Sequence, residues 1–155
     1  MQLNSQGIAL IRSFEKFEPQ AYLCPAGCWT LGWGNTRWEN GRPVKPGETI
    51  TRERAERLFH YWLDRFSDDV RSLLKVKVNE NQFSALVSFA YNVGSDIDAD
   101  DIAEGLGDST LLKRVNANPS DPAIAAEFAK WKRSNGHVLN GLVRRRAAEA
   151  TLYFL

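Results

Sequence analysis

The chain has 155 residues, 43% hydrophobic and 25% charged, which suits one compact domain over residues 1–155 and excludes a globally disordered chain. A domain of this size buries roughly two-thirds of its unfolded surface, so it needs neither disulfide nor metal to fold. Twenty basic and nineteen acidic side chains leave a net charge of +1, so the overall field selects no partner and no nucleic acid is expected.

Cys24 and Cys28 are too few for a disulfide framework and lack the second ligand pair of a zinc site, so no metal or cofactor is expected. No run approaches the roughly 18 apolar residues of a membrane-spanning helix. The N-terminal MQLNSQGIALIRSFEKF is charged too early for a secretory signal. The expectation is synthesis in the cytoplasm and no stable membrane insertion.

Ile8, Ile11 and Phe14 repeat at helical spacing behind a cap at Asn4 or Ser5, and Pro19 bars the helix from passing residue 17. Glu15 therefore falls in its last turn. Residues 20–36, rich in aromatic and β-favouring types and broken by glycines, predict a small hairpin or three-stranded sheet. From Thr51, a stripe through Ala55, Leu58, Phe59, Trp62, Leu63, Phe66, Val70, Leu73 and Leu74 predicts a long helix joining a small lobe to a larger one.

Phe83, Leu86, Val87 and Ala90 mark the next helix, with Gly94 as its stop. Ser109 or Thr110 starts another, and Asp121-Pro122 gives a cap and a first helical proline. Leu139, Leu142, Val143, Ala147 and Ala150 predict the final helix. The fold class is α+β, with a small N-terminal sheet lobe and a larger helical lobe. The basic residues of the last third, Lys130, Lys132, Arg133 and Arg144 to Arg146, form either a face toward an anionic surface or a solvated helix face.

Glu15 stands out among the carboxylates. It lies between Phe14 and Phe17 at the negative end of a helix dipole, and both surroundings disfavour its charged form. A carboxylic acid that keeps its proton suits glycoside hydrolysis, where it protonates the leaving oxygen. A solvated surface glutamate is the plain alternative.

The run FEKFEPQAYLCPAGCWTLGWGNT resembles the catalytic region of the phage lysozymes, glycoside hydrolase family 24. That family's pattern is a Glu, eight residues, an Asp or Cys, five residues and a Thr, which Glu15, Cys24 and Thr30 fit. The segments VKPGETITRERAERLF, ALVSFAYNVG and STLLKRVN, and the C-terminal G-L-x-x-R-R-x-x-E, follow in the family's order. The resemblance runs from about Gly7 to the C-terminus.

The resemblance implies a lysozyme-like fold with its site between the lobes. The implied reaction is hydrolysis of the β-1,4 bond between N-acetylmuramic acid and N-acetylglucosamine in peptidoglycan. Glu15 is then the general acid, Cys24 takes the position of a second carboxylate, and Thr30 orients the attacking water. Inversion at the anomeric carbon is implied. So are a monomer, synthesis in a phage host's cytoplasm, and action on the wall in the periplasm to release progeny.

Tyr22 and Trp33, like Trp29 and Trp38, either stack on sugar rings or fill the core. Asn92 either bonds an N-acetyl group or caps a helix. Arg145 or Arg146 is expected to reach Glu15 and favour its ionised form. Relative to the family, residues 96 to 108 look like an insertion, expected as an exposed, mobile loop. An EF-hand count from Asp96 fails there, because Asp101 stands where Gly is needed and Gly107 where Glu is needed.

Cys24 is the departure from the commoner Asp. A free thiol ionises about four pH units above an aspartic acid, so little negative charge faces the transition state unless the thiolate forms. Cys24 is otherwise a small buried hydrophobe. Some membrane-tethered relatives implicate a thiol switch, which a Cys24–Cys28 disulfide would match; two independent thiols are the alternative. Two rival functions remain: a non-catalytic wall-binding module, and an amidase or peptidase using Cys24 with His60 or His137.

Overall fold

The computed structural model describes residues 1–155. Asn4 starts α1 (Ser5–Glu15) by accepting the Gly7 N–H at 3.0 Å. The helix stops two residues before residue 17, the last that Pro19 would allow. Lys16 caps it with φ at 44°, a left-handed backbone that turns the chain away and leaves Glu15 as the final helical residue. Gly7 lets α1 lie close to a neighbouring helix, since a Cβ there would come 2.6 Å from the Ser84 Cβ.

The sheet is smaller than the widest expectation. Strands β1 (Glu18–Leu23) and β2 (Trp29–Gly32) pair antiparallel, with Tyr22 opposite Thr30 and an irregularity between Glu18 and Tyr22. Isolated bridges Gln20 to Thr49 and Arg37 to Pro43 extend the lobe without a third strand. Between the strands, the Cys24 N–H donates to the Cys28 carbonyl at 3.0 Å, and Gly27 turns the chain at φ 87°.

Helix α2 (Arg52–Leu73) is capped by the Thr51 hydroxyl, which accepts the Arg54 N–H at 3.2 Å. It joins the lobes, as the apolar stripe predicts. Ala55, Leu58, Phe59 and Leu63 pack in the small-lobe core with Ile11, Leu31, Val44 and Ile50. Val70, near the other end, packs in the second core with Phe83, Leu86 and Phe89. Each such buried aliphatic or aromatic side chain contributes about 1.5–3 kcal/mol.

Helix α3 (Glu80–Val93) opens with a capping box between Asn79 and Gln82 and stops at Gly94, φ 103°. Residues 83 to 91 are all buried, so this helix is the axis of the larger lobe. Around it lie α4 (Thr110–Ala117), capped by Ser109, then α5 (Ile124–Ala129) and α6 (Asn140–Tyr153). Helix α5 begins later than Asp121-Pro122 suggests. Asp121 accepts the Ala123 N–H at 2.9 Å and closes a turn, and the helix then starts from Ala123 without a side-chain cap.

Two features depart from the sequence expectations. A two-residue hairpin, β3 (Arg133–Ser134) and β4 (His137–Val138), precedes α6 and turns through Asn135 and Gly136, both at positive φ. The acidic loop is anchored rather than free. Leu106 is fully buried, its N–H meets the Gly94 carbonyl at 3.0 Å, and Asp96 accepts the N–H groups of Glu104, Gly105 and Asp108. No helix is long and apolar enough to cross a membrane.

Candidate active site

Glu15 ends α1 at the wall of a cleft of about 640 Å³ between the lobes, with its side chain 15% exposed. Behind it stands Arg145 of α6, almost fully buried, whose Nη1 donates to the Glu15 carboxylate. The second guanidinium nitrogen donates to the Ser88 carbonyl at 3.1 Å. Of the two arginines left open by the sequence, α6 turns Arg145 toward Glu15 and Arg146 toward Glu149, because successive helical residues point about 100° apart. Gly34 closes on Glu15 from the sheet lobe. A Cβ at that position would overlap the Glu15 carboxylate, and φ is 76°.

The sheet lobe supplies the other wall. Thr30 is 3% exposed and its hydroxyl donates to the Cys28 carbonyl at 3.0 Å, leaving oxygen lone pairs for an incoming hydrogen. Cys24 is half-buried, and its Sγ accepts the Cys28 N–H at 3.3 Å. Both cysteines are free thiols. Glu15, Cys24, Thr30 and Tyr22 line the same cleft. Pairing opposite Thr30 puts Tyr22 on the same face of the hairpin. Burial first, and then the Glu15 charge, push the Tyr22 phenol up.

Asn92 also lines the cleft, exposed near the end of α3. Trp33 does not. It is 9% exposed and packs in the small-lobe core, 5.7 Å from Phe17 and 5.9 Å from Phe59 between ring centroids, with the Arg12 guanidinium 4.8 Å from its ring. The reason is local: Gly32 and Gly34, both at positive φ, break the strand alternation and turn Trp33 inward. Trp29 and Trp38 also pack against that core.

Several lining groups were not singled out as site residues in the sequence reading. Trp131, Arg133 and Leu139 close the helical-lobe side, and Asn135 at the hairpin tip donates across the cleft to the Pro25 carbonyl at 2.7 Å. A two-residue strand has no periodicity to read, although the Asn-Gly pair at its turn is a hairpin signal. Tyr91 is buried on the cleft floor, and burial pushes its phenol well above the usual range.

His60 lies on α2, 3.8 Å from Glu56, and His137 lies exposed on β4. Neither lines the cleft beside Cys24, so a Cys–His pair is not assembled. In the acidic loop, Asp96, Asp98, Asp100 and Asp108 each bring an oxygen within 4.8 Å of the others, with Asp96 already engaged by backbone N–H groups.

The profile of the family described as phage lysozyme matches residues 12–149. The endolysin of Bacillus phage B103 is 43% identical over 155 residues, covering 99% of this chain and 54% of that protein. The endolysin of Salmonella phage P22 is 33% identical over 99% of this chain and 98% of its own length. The chain thus spans about half the length of the Bacillus phage relatives it matches, at 54% and 55%, and nearly all of the P22 relative. Among solved structures, the endolysin from Escherichia coli O157:H7 phage FAHEc1 has a TM-score of 0.79 at 36% identity, covering 99% of this chain and 93% of that one. The muramidase domain of SpmX from Asticaccaulis excentricus has a TM-score of 0.78 at 31% identity, covering 99% and 98%. With its fold and most of its length matched in this way, the chain belongs to the phage lysozyme family.

Proposed function

We propose that the chain is a muramidase, a glycoside hydrolase that cuts the β-1,4 bond between N-acetylmuramic acid and N-acetylglucosamine in bacterial peptidoglycan. The observation that carries this reading is the placement of Glu15, Thr30 and Cys24 on the walls of one interlobe cleft, in a chain of the phage lysozyme family. The printed names of its relatives, endolysin and muramidase domain, support the same substrate.

Glu15 is the general acid. Its partly exposed carboxyl reaches a glycan in the cleft and gives its proton to the leaving oxygen. Thr30 donates to Cys28, so its oxygen accepts a hydrogen of the attacking water and turns a water lone pair toward the anomeric carbon. The water oxygen bonds to that carbon as the bond to the leaving sugar breaks. The surplus water proton passes to solvent. Attack opposite the leaving group inverts the anomeric centre. Glu15 becomes a carboxylate during this step, and Arg145, which already donates to it, offsets the new charge. Tyr22 and Asn92 line the path of the glycan.

Cys24 supports a second reading. A thiol where the family pattern commonly has a carboxylate favours a module that binds the wall without cutting it. Purified peptidoglycan distinguishes the readings. New reducing ends without new amino groups are the expected product. New amino groups would mark an amidase or peptidase, and binding without either product would mark a wall-binding module.

The biological role that fits is lysis of the host wall to release phage progeny. The relatives named endolysin come from phages. The protein is then made in the host cytoplasm and works as a monomer on the wall in the periplasm.

A further inference from the structure

Behind Glu15 lies a buried line of alternating charge that the reaction above does not use beyond Arg145. Arg145 reaches forward to Glu15 and backward, through Nε, toward Glu149 Oε2 at 3.4 Å. Glu149 is fully buried and accepts the Ser88 hydroxyl at 2.6 Å. Arg146, 1% exposed, sets Nε 2.6 Å from Glu149 Oε1 and Nη2 3.2 Å from Oε2, with Phe89 4.9 Å from its guanidinium.

Spacings of four and three residues on α6 bring Arg145 and Arg146 each within reach of Glu149, which lies between them. Buried charges are costly and persist only when compensated. A single Arg146–Glu149 pair would satisfy the fold. The arrangement instead gives Glu149 two arginines and gives one of them a second carboxylate, at the cleft. Burial pushes Glu149 up, while Arg146, Arg145 and Ser88 pull it back.

We propose that Glu149 is a positioning residue for hydrolysis: it fixes the Arg145 guanidinium against Glu15 and takes up part of its charge. Arg145 then steadies the carboxylate formed in the reaction without blocking the next proton uptake by Glu15. The inference rests on the reading of Glu15 as proton donor. The other groups facing Glu15 do not supply this balance. Arg12, on the same helix, is held by both oxygens of Glu56 at 2.6 and 2.7 Å. Tyr91 of α3 and Tyr22 of β1 are both pushed up by burial and stay neutral, and Cys24 offers a thiol. Arg146 lies behind, against Glu149, and without Glu149 its charge would add to that of Arg145.

The test is the pH profile of wall hydrolysis for wild type, Glu149→Gln, Glu149→Asp, Ser88→Ala and Glu15→Gln, with folding followed by circular dichroism. Removing the Glu149 charge should move the alkaline limb to lower pH by about one unit, with the rate recovering at the acid end. Glu149→Asp should restore the limb in part. Ser88→Ala removes only the hydroxyl that holds Glu149, and it should move the limb the same way by less. That variant carries the test if Glu149→Gln does not fold. A lower rate at every pH with the limb unmoved, in whichever of the two variants folds, would overturn the proposal. Full activity in Glu15→Gln would instead remove the reading beneath it, so the two failures are distinct.

Discussion

The Tyr91 hydroxyl donates to the Trp33 carbonyl at 2.6 Å and receives the Asn35 side-chain amide at 3.0 Å, tying the last turn of α3 to the turn that sets Gly34 against Glu15. Tyr91→Phe leaves a buried carbonyl and a buried amide without that partner. A loss of about 1–3 kcal/mol is expected. Urea denaturation should show a lower midpoint at unchanged slope. An unchanged midpoint would mean that water replaces the hydroxyl.

Gly34 makes a sharper prediction, because its substitution acts on the carboxylate itself. An alanine methyl would occupy the space of the Glu15 carboxylate, on a backbone at φ 76° that L-residues rarely adopt. Gly34→Ala should cost about 1–2 kcal/mol in stability for the strained backbone. It should lower wall hydrolysis by at least about tenfold through displacement of Glu15, the proposed general acid. Parallel thermal melts and activity assays check this. Equal activity at a lower melting temperature would show that Glu15 can retreat without loss.

Cys24 shares the cleft with Glu15, and in the proposed reading it takes the position of a second carboxylate. Cys24→Asp should therefore keep at least part of the activity. Turbidity clearing of purified walls reads this directly. A folded Cys24→Asp protein with no activity would show that the thiol has a role no carboxylate can fill.

Much of this site was legible because it sits next to strong local signals. Asn4 and Pro19 bracket α1 and so put Glu15 at its end. Thr51, Gly94 and Ser109 cap where their side chains or lack of one dictate. The position of Trp33 was not legible, because two glycines at positive φ change which way the strand faces, and alternation cannot report that. Gly34 was unreadable for a different reason. Its role is to leave room for a residue 19 positions earlier, a contact made only after both lobes close on the cleft. The choice between Arg145 and Arg146 depended on the rotation of α6, fixed by packing against α3 rather than by any local pattern.

Glu48 gives the small lobe a pH-dependent tie. It receives Arg42 at 2.7 Å and the Lys45 N–H at 2.6 Å, and these hold its carboxyl down to about 2 from an ordinary 4.5. A carboxyl lowered by folding adds stability above its unfolded value and loses it as pH falls through the folded one. Glu48→Gln should therefore melt below wild type near neutral pH, and the gap should close between about pH 4.5 and about 2. A gap that stays constant over this range would show that the contribution is not ionic.

The most direct measurement is the rate at which purified peptidoglycan gains reducing N-acetylmuramic acid ends with wild type and with Glu15→Gln, the variant that keeps the side-chain shape without an exchangeable acid proton. Wild type should release them, and Glu15→Gln should release them about 10²–10⁴ times more slowly with its circular dichroism spectrum unchanged. Equal release by the two proteins would contradict the account.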